Sequence, residues 1–138
     1  MWHAGDIGNL DVTNQIQSIK PLRAVYGNID DATTRKSFSK NLIFTCEKVK
    51  VFITHIAGQA NYYLPEVKEV MLQEKPQLFV CGHSHILKVM YQEKYEFLHL
   101  NPGACGKHGF HQVKTALKFV IDDTQIKDLA IIELGKRA

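Results

Sequence analysis

Four stretches of this chain break an apolar run on a residue that can grip a cation. They are Gly5-Asp6-Ile7-Gly8, Gly27-Asn28-Ile29-Asp30, Thr54-His55 and Gly82-His83-Ser84-His85. Each follows residues that read as a strand, so the donor atoms sit where strands give way to loops. Folds that gather several strand ends are layered α/β folds, whose ligand sites open at the carboxyl ends of the strands. Carboxylate, amide oxygen and imidazole make a hard-to-borderline donor set, suited to manganese, iron, zinc, nickel or magnesium rather than to Cu(I) or an iron–sulfur cluster. The glycines before Asp6, Asn28 and His83 let backbone come close to an ion or a phosphate. Each stretch alone has a plain reading as a turn or a structural histidine. Two histidines flanking one residue after a buried strand are less ordinary, and the ordered set of four carries the argument.

The residues between these junctions predict alternating helices and strands. Asp11 can cap a helix whose apolar face is Val12, Ile16 and Ile19, stopped by Pro21. Leu22 to Tyr26 reads as a buried strand closed by the turn Gly27-Asn28. Leu42 to Cys46 and Val49 to Thr54 read as strands joined around Glu47-Lys48. Pro65 opens a helix with Val67, Val70 and Met71 on its apolar face and Pro76 just past its end. Leu78 to Cys81 is another buried strand. Strands then dominate, over Leu87 to Gln92, Tyr95 to Leu100, Ala116 to Ile121 and Ile126 to Leu134. The expectation is an α/β layered sandwich of two mixed β-sheets flanked by helices.

The 138 residues argue for a single domain, 1–138. A net charge of +3 with no Lys/Arg run is too mild for a nucleic-acid stripe. Lys36, Lys40, Lys48 and Lys50 read as a solvated face. Three isolated cysteines, Cys46, Cys81 and Cys105, suggest neither a disulfide framework nor a zinc knuckle, and fit a reducing cytoplasm. No apolar run approaches the roughly 18 residues of a membrane span, and Asp6 and Asp11 interrupt any signal peptide.

In that order, G-D, G-N-x-D, T-H and G-H-S-H resemble the motifs of the calcineurin-like metallophosphoesterases. Gly82-His83-Ser84-His85 followed by Asn101-Pro102-Gly103 resembles the small bacterial and archaeal phosphodiesterase branch, and the resemblance spans essentially the whole chain. It implies two divalent metals, manganese first among them, bridged by an aspartate and a hydroxide. Asp6 would be the bridge, Asn28, His55 and His83 the other ligands of one metal, and His85 a ligand of the second. The catalytic roles would fall to Asp6, Asn28 and His55, and the substrate would be a small phosphodiester or nucleotide-like molecule. Two close metals can hold such an anion, make hydroxide from water near neutral pH and stabilise the leaving oxygen.

Two departures qualify that implication. The family opens with a strand ending in D-x-H upstream of G-D, whereas five residues precede Asp6 here. The expectation is therefore a chain truncated at its N-terminus, with an incomplete second metal site and an open sheet edge that invites a homo-oligomer. Ile29 stands where relatives often carry His or Cys, which removes a candidate acid and leaves Asp30 as a supporting or turn-forming residue. The alternative function is a catalytically inactive protein-interaction scaffold on the same fold. Other residues read blandly. Trp2 and His3 are core and edge, and Cys81 is inert core. His99, His108 and His111 are surface, with Lys107 or His108 as possible contacts for a substrate anion. Asn101 to Ala104 forms a turn.

Overall fold

The computed structural model describes residues 1–137. Its layering is set by one strand. β4 (Val49–Thr54) buries every residue but Lys50. Val49, Val51 and Ile53 face one apolar cluster and Phe52 the opposite one. A strand apolar on both faces must lie inside a sheet covered on both sides.

That sheet has five strands. β3 (Asn41–Cys46) forms an antiparallel hairpin with β4 around Glu47-Lys48. β7 (Leu78–Val80) runs parallel to β4 on its other side, and β9 (Phe97–Pro102) runs parallel to β7. β8 (Leu87–Gln92) closes the far edge antiparallel to β9, giving the order β3-β4-β7-β9-β8.

The other strands cover this sheet in pairs. β1 (Trp2–His3) and β2 (Arg23–Ala24) are parallel. β10 (Val113–Asp122) and β11 (Gln125–Lys136) form a long antiparallel hairpin. Trp2, Val25, Leu117, Phe119, Ile126 and Leu129 all pack with the sheet residues Val49, Val51, Ile53, Leu78, Val80 and Leu100. The opposite face meets α3 (Pro65–Glu74) and the short hairpin β5 (Gly58–Gln59) and β6 (Tyr62–Tyr63). There Val67 and Met71 bury against Phe52, Phe79 and Phe97. Pro65 starts α3 without a side-chain cap, and Lys75 ends it in the left-handed region at φ +47°.

Two helices sit between the strand pairs. α1 (Leu10–Ile19) is capped by Asn9, whose side-chain oxygen accepts from the Asp11 amide at 2.8 Å, so Asp11 is a first-turn residue and not the cap. Its buried residue is Thr13; the expected apolar face is largely in solvent, with Val12 41% and Ile19 76% exposed. α2 (Ala32–Ser37), which the apolar pattern does not announce, is capped by Asp31 accepting from the Thr34 amide at 2.8 Å. Among the described residues no helix is long and apolar enough to cross a membrane.

Candidate metal centre

The parallel pairings bring the four junctions together. β4 and β7 are parallel neighbours, so His55 and the Gly82–His85 loop leave the sheet side by side. The Gly82 amide donates to the His55 carbonyl at 3.0 Å. β1 and β2 are also parallel neighbours, so Asp6 and Asn28 emerge together from the covering layer. Packing the two layers face to face sets one pair of loops against the other.

The contacts are short. His55 Nε2 lies 3.1 Å from Asp6 Oδ1 and 3.0 Å from Asn28 Oδ1. His83 Nδ1 lies 2.9 Å from the same Asn28 oxygen. One donor atom each from Asp6, His55 and His83 all lie within 4.8 Å of one another. A single ion bound at roughly 2.0–2.2 Å spans that gap after a sub-ångström adjustment.

The tautomer of His55 makes the arrangement informative. Its Nδ1 sits 2.6 Å from the Ala4 carbonyl, which can only accept, so Nδ1 carries the proton and donates. Its Nε2 then faces a carboxylate oxygen and an amide oxygen. One carboxylate, one amide oxygen and two imidazoles converge there on one small volume. The donor set therefore fits a divalent cation of the borderline class.

The surroundings hold these groups in place. The Ile29 amide donates to Asp6 Oδ1 at 3.2 Å. Asp30 is buried, and its two carboxylate oxygens accept from the Gly8 amide at 2.8 Å and the Gly27 amide at 2.7 Å, tying the two loops together. Arg35 donates from Nε to the Asp30 carbonyl at 2.7 Å and from a terminal nitrogen to the Asn28 carbonyl at 2.8 Å. Gly27 is required, because a Cβ there would collide with the Asp6 carboxylate and amide nitrogen. Asp6, His83 and His85 all have positive φ, at 56°, 64° and 58°. Non-glycine residues in that region cost about 1–3 kcal/mol each and gather at functional sites.

His85 stands apart from the close cluster. Its ring packs edge-on against His111, with centroids 5.3 Å apart. Burial, then the neighbouring His111, lower its pKa below the ordinary imidazole value against an opposing pull from Asp6. His3 lies behind the site on β1, where burial, only partly offset by Asp30, also lowers its pKa.

Three other expectations change. His99 is buried, not on the surface: its Nδ1 lies 2.7 Å from the Tyr63 hydroxyl and its Nε2 3.2 Å from the Cys81 thiol. One neutral imidazole donates from one nitrogen and accepts at the other, and burial pushes its pKa down to about 4. His111 is half-buried and not free, whereas His108 and Lys107 are exposed. Asn101 is the penultimate residue of β9, not part of a turn, and its amide donates to the Gly82 carbonyl at 2.9 Å and the Ser84 hydroxyl at 3.1 Å. It thereby fixes the loop that presents His83. Cys81 is buried as expected, and desolvation pushes its thiol up to about 12, so it stays protonated at neutral pH. Lys48 and Lys50 are partly paired, with Asp123 at 2.7 Å and Glu74 at 3.2 Å.

A cleft of 310 Å³ opens beside Asn28 and His55. Arg35 and Lys40 bring positive charge to it, Glu66 brings a carboxylate 4.0 Å from the Lys40 ammonium, and Tyr26, Ile56 and Leu64 bring apolar surface.

A profile of the calcineurin-like phosphoesterase superfamily domain matches residues 1–124. No curated protein sequence matches the chain. Among solved structures, an archaeal phosphodiesterase superposes with a TM-score of 0.73 at 19% identity, covering 96% of this chain and 81% of that one. Vps29 from Entamoeba histolytica, complexed with zinc, gives 0.73 at 13% identity, with 99% and 81% covered. A predicted phosphoesterase from Streptococcus pneumoniae gives 0.66 at 21% identity, with 96% and 72% covered. At such identities these likenesses speak for the fold.

Proposed function

The chain belongs to the calcineurin-like phosphoesterase superfamily, and on that premise we propose that it is a divalent-metal-dependent phosphoesterase acting on phosphodiester bonds. The observation that carries this reading is the convergence of Asp6, His55 and His83, one donor atom each within 4.8 Å of one another, beside the Asn28 side-chain oxygen. Bound there, a divalent cation, manganese first and zinc, iron, nickel or magnesium next, would supply Lewis-acid polarisation and a water activated near neutral pH. Asp6, Asn28, His55 and His83 hold the ion, and His85 stands at the edge of the same set. The Ala4 carbonyl orients His55, Arg35 fixes the Asn28 loop, and Asn101 fixes the His83 loop. The cleft beside His55 suits a small phosphodiester or nucleotide-like substrate, its anionic part near Lys40 and its ester group against Tyr26 and Leu64.

The zinc-complexed structural neighbour supports the metal, and the archaeal phosphodiesterase supports the reaction class. The test pairs metal content with hydrolysis of bis(p-nitrophenyl) phosphate in added Mn²⁺. His83→Ala should lose bound metal and activity together, since a ligand is gone, whereas Cys81→Ala should keep both. Equal metal loss in the two variants would show that the ligands lie elsewhere.

One observation favours a second reading, a protein-interaction scaffold. Ile29, Ile56 and Ile86 each adjoin a candidate ligand and are 64%, 36% and 63% exposed. Apolar side chains around a centre suit a protein partner or a second copy of the chain. A chain that binds no metal, hydrolyses nothing and captures a partner through Ile29→Asp-sensitive contacts would establish that reading over the first.

A further inference from the structure

A second cleft, of 380 Å³, opens on the face of the five-stranded sheet that the metal centre does not use. Its floor is Cys81, just past β7, with His99 and Asn101 of β9 and Lys88 of β8 beside it. Cys81 belongs to the apolar cluster under α3, and His99 packs on Tyr63 and Phe79 of that cluster. His55, by contrast, reaches the Ala4 carbonyl, and Ala4 packs on the opposite cluster. Strand alternation sets this sidedness: His99 and Asn101 point into the cleft, and Leu98 and Leu100 point away from it. One wall is the β5–β6 hairpin at Gln59, and the other is the Gly82–His85 loop at Ser84.

The cleft is cationic and supplied with donors. Lys88 is half-buried, and no salt bridge pairs it among the described residues. No Asp or Glu lines the cleft. The lysine's charge reaches the floor, since after burial it is Lys88 that lowers the pKa of His99. Ser84 Oγ accepts from the Asn101 side-chain amide at 3.1 Å and from the Ile86 backbone amide at 3.3 Å. Both lone pairs of that hydroxyl are thus engaged, and its own hydrogen is left to donate. Gln59 adds an exposed side-chain amide. A partly desolvated ammonium without a counter-charge is costly, and a bound anion offsets that cost.

We propose that this cleft binds a small phosphate monoester, its phosphate held by the Lys88 ammonium, the Ser84 hydroxyl and the Gln59 amide, and its organic part lying against Ile86. A tetrahedral oxyanion accepts from several directions at once, and the three donors come from a strand, a loop and a hairpin. Lysine serves such a group as a point charge. The volume exceeds what a bare ion fills and lies within the range of small-molecule clefts. Ser84 stands between His83 and His85 in the chain, and Asn101 ties it to the floor. A ligand held by Ser84 therefore acts on the loop that presents the candidate metal ligands, from the side away from the ion. Neither the cleft nor this ligand depends on the proposed hydrolysis.

The experiment titrates phenyl phosphate into the full chain, first metal-free after dialysis and then with zinc added, followed by ¹H–¹⁵N amide spectra. The amides of Gln59, Ser84 and Lys88 should shift to saturation in both cases. Lys88→Gln should weaken the midpoint about tenfold, as loss of one charged hydrogen bond does, while keeping its far-ultraviolet circular dichroism. Benzoate, with a carboxylate in place of the phosphate, should also bind about tenfold more weakly. Shifts confined to Asn28, Arg35 and Lys40 would put the phosphate in the cleft beside His55, and shifts at Ser84 that appear only with zinc would put it on the ion. Either result overturns the proposal, as does an unchanged midpoint in Lys88→Gln. Benzoate binding as tightly as phenyl phosphate overturns the assignment to a phosphate. The wild-type spectra decide the matter even if Lys88→Gln does not fold. The metal-free arm involves no ion and no turnover, so the proposed function stands or falls on its own test.

Discussion

His99 shows how far a single residue's surroundings can move it from what its letter suggests. In solution an imidazole titrates near 6.5, but burial between Tyr63 and Cys81 brings this one down to about 4. A depressed pKa in the folded state means that the unfolded chain takes up a proton first as the pH falls. The stability this neutral histidine contributes is therefore fully present above pH 6.5 and is lost as the pH falls toward 4. At 1.36 kcal/mol per unit, the loss amounts to about 3 kcal/mol. Denaturant unfolding of the metal-free chain between pH 7 and 4 should show that decline, and His99→Gln should show a flatter one. Equal slopes in the two proteins would assign the acid sensitivity to other groups. The residue scale is also where the sequence was most and least legible. Asp6, Asn28, His55 and His83 each stand at a strand end, and apolar runs that stop at Gly or Thr mark such ends. Arg35 and Asn101 left no comparable mark: one is a charge in a polar stretch and the other heads an Asn-Pro-Gly string that composition assigns to a turn. The parallel pairing of β7 with β9, with Val80 opposite Leu100, places that amide under the His83 loop.

Among the elements, those with a strong local pattern are where the pattern put them. β4 is marked by its near-continuous apolar run, α3 by Pro65 and Pro76, and β8 by Leu87 and Gln92. Those without one differ. α2 buries only Thr34, so no apolar period announces it, and its signal is the Asp31 cap three residues before Thr34. β2 is two residues long where Leu22 to Tyr26 reads as a buried strand, and beyond it Val25 bridges to Ser39. β7 is the most demanding element, with three residues, all buried, between two parallel neighbours. Its Phe79 touches Phe52, Tyr63, Phe97 and His99 within 5.7 Å between ring centroids. Phe79→Ala should cost about 3–5 kcal/mol, the loss expected when a buried phenyl leaves a cavity. Chemical denaturation measures it. A loss below 1 kcal/mol would mean that the strand's neighbours close the gap, and that the packing here is looser than the contacts indicate.

At the scale of the whole molecule, the two layers meet across the Trp2, Val25 and Leu117 side of the sheet, and the strand pair β1–β2 belongs to one layer while β4 and β7 belong to the other. β1 and β2 share two residue pairs, extended by the Val25 amide donating to the His3 carbonyl, and the Tyr26 amide ties them onward by donating to the Ser39 carbonyl. The cluster of Asp6 and Asn28 with His55 and His83 therefore crosses the seam between the layers, two donors from each side. An ion held there would act as a rivet through two plies, resisting slip of one sheet over the other. In its absence the seam rests on apolar contact and on the polar contacts of His55 with Ala4 and of Asn28 with His55 and His83. Stripping metal should therefore quicken amide exchange in residues 2–6 and 23–28 while the amides of β7 keep their protection. If exchange quickens uniformly, the plies are bonded by their shared apolar filling and the ion is a passenger. If it quickens only along the seam, the load-sharing between sheet and ion becomes a dial: chelation sets how firmly the upper ply is fastened, independently of how the lower one is built.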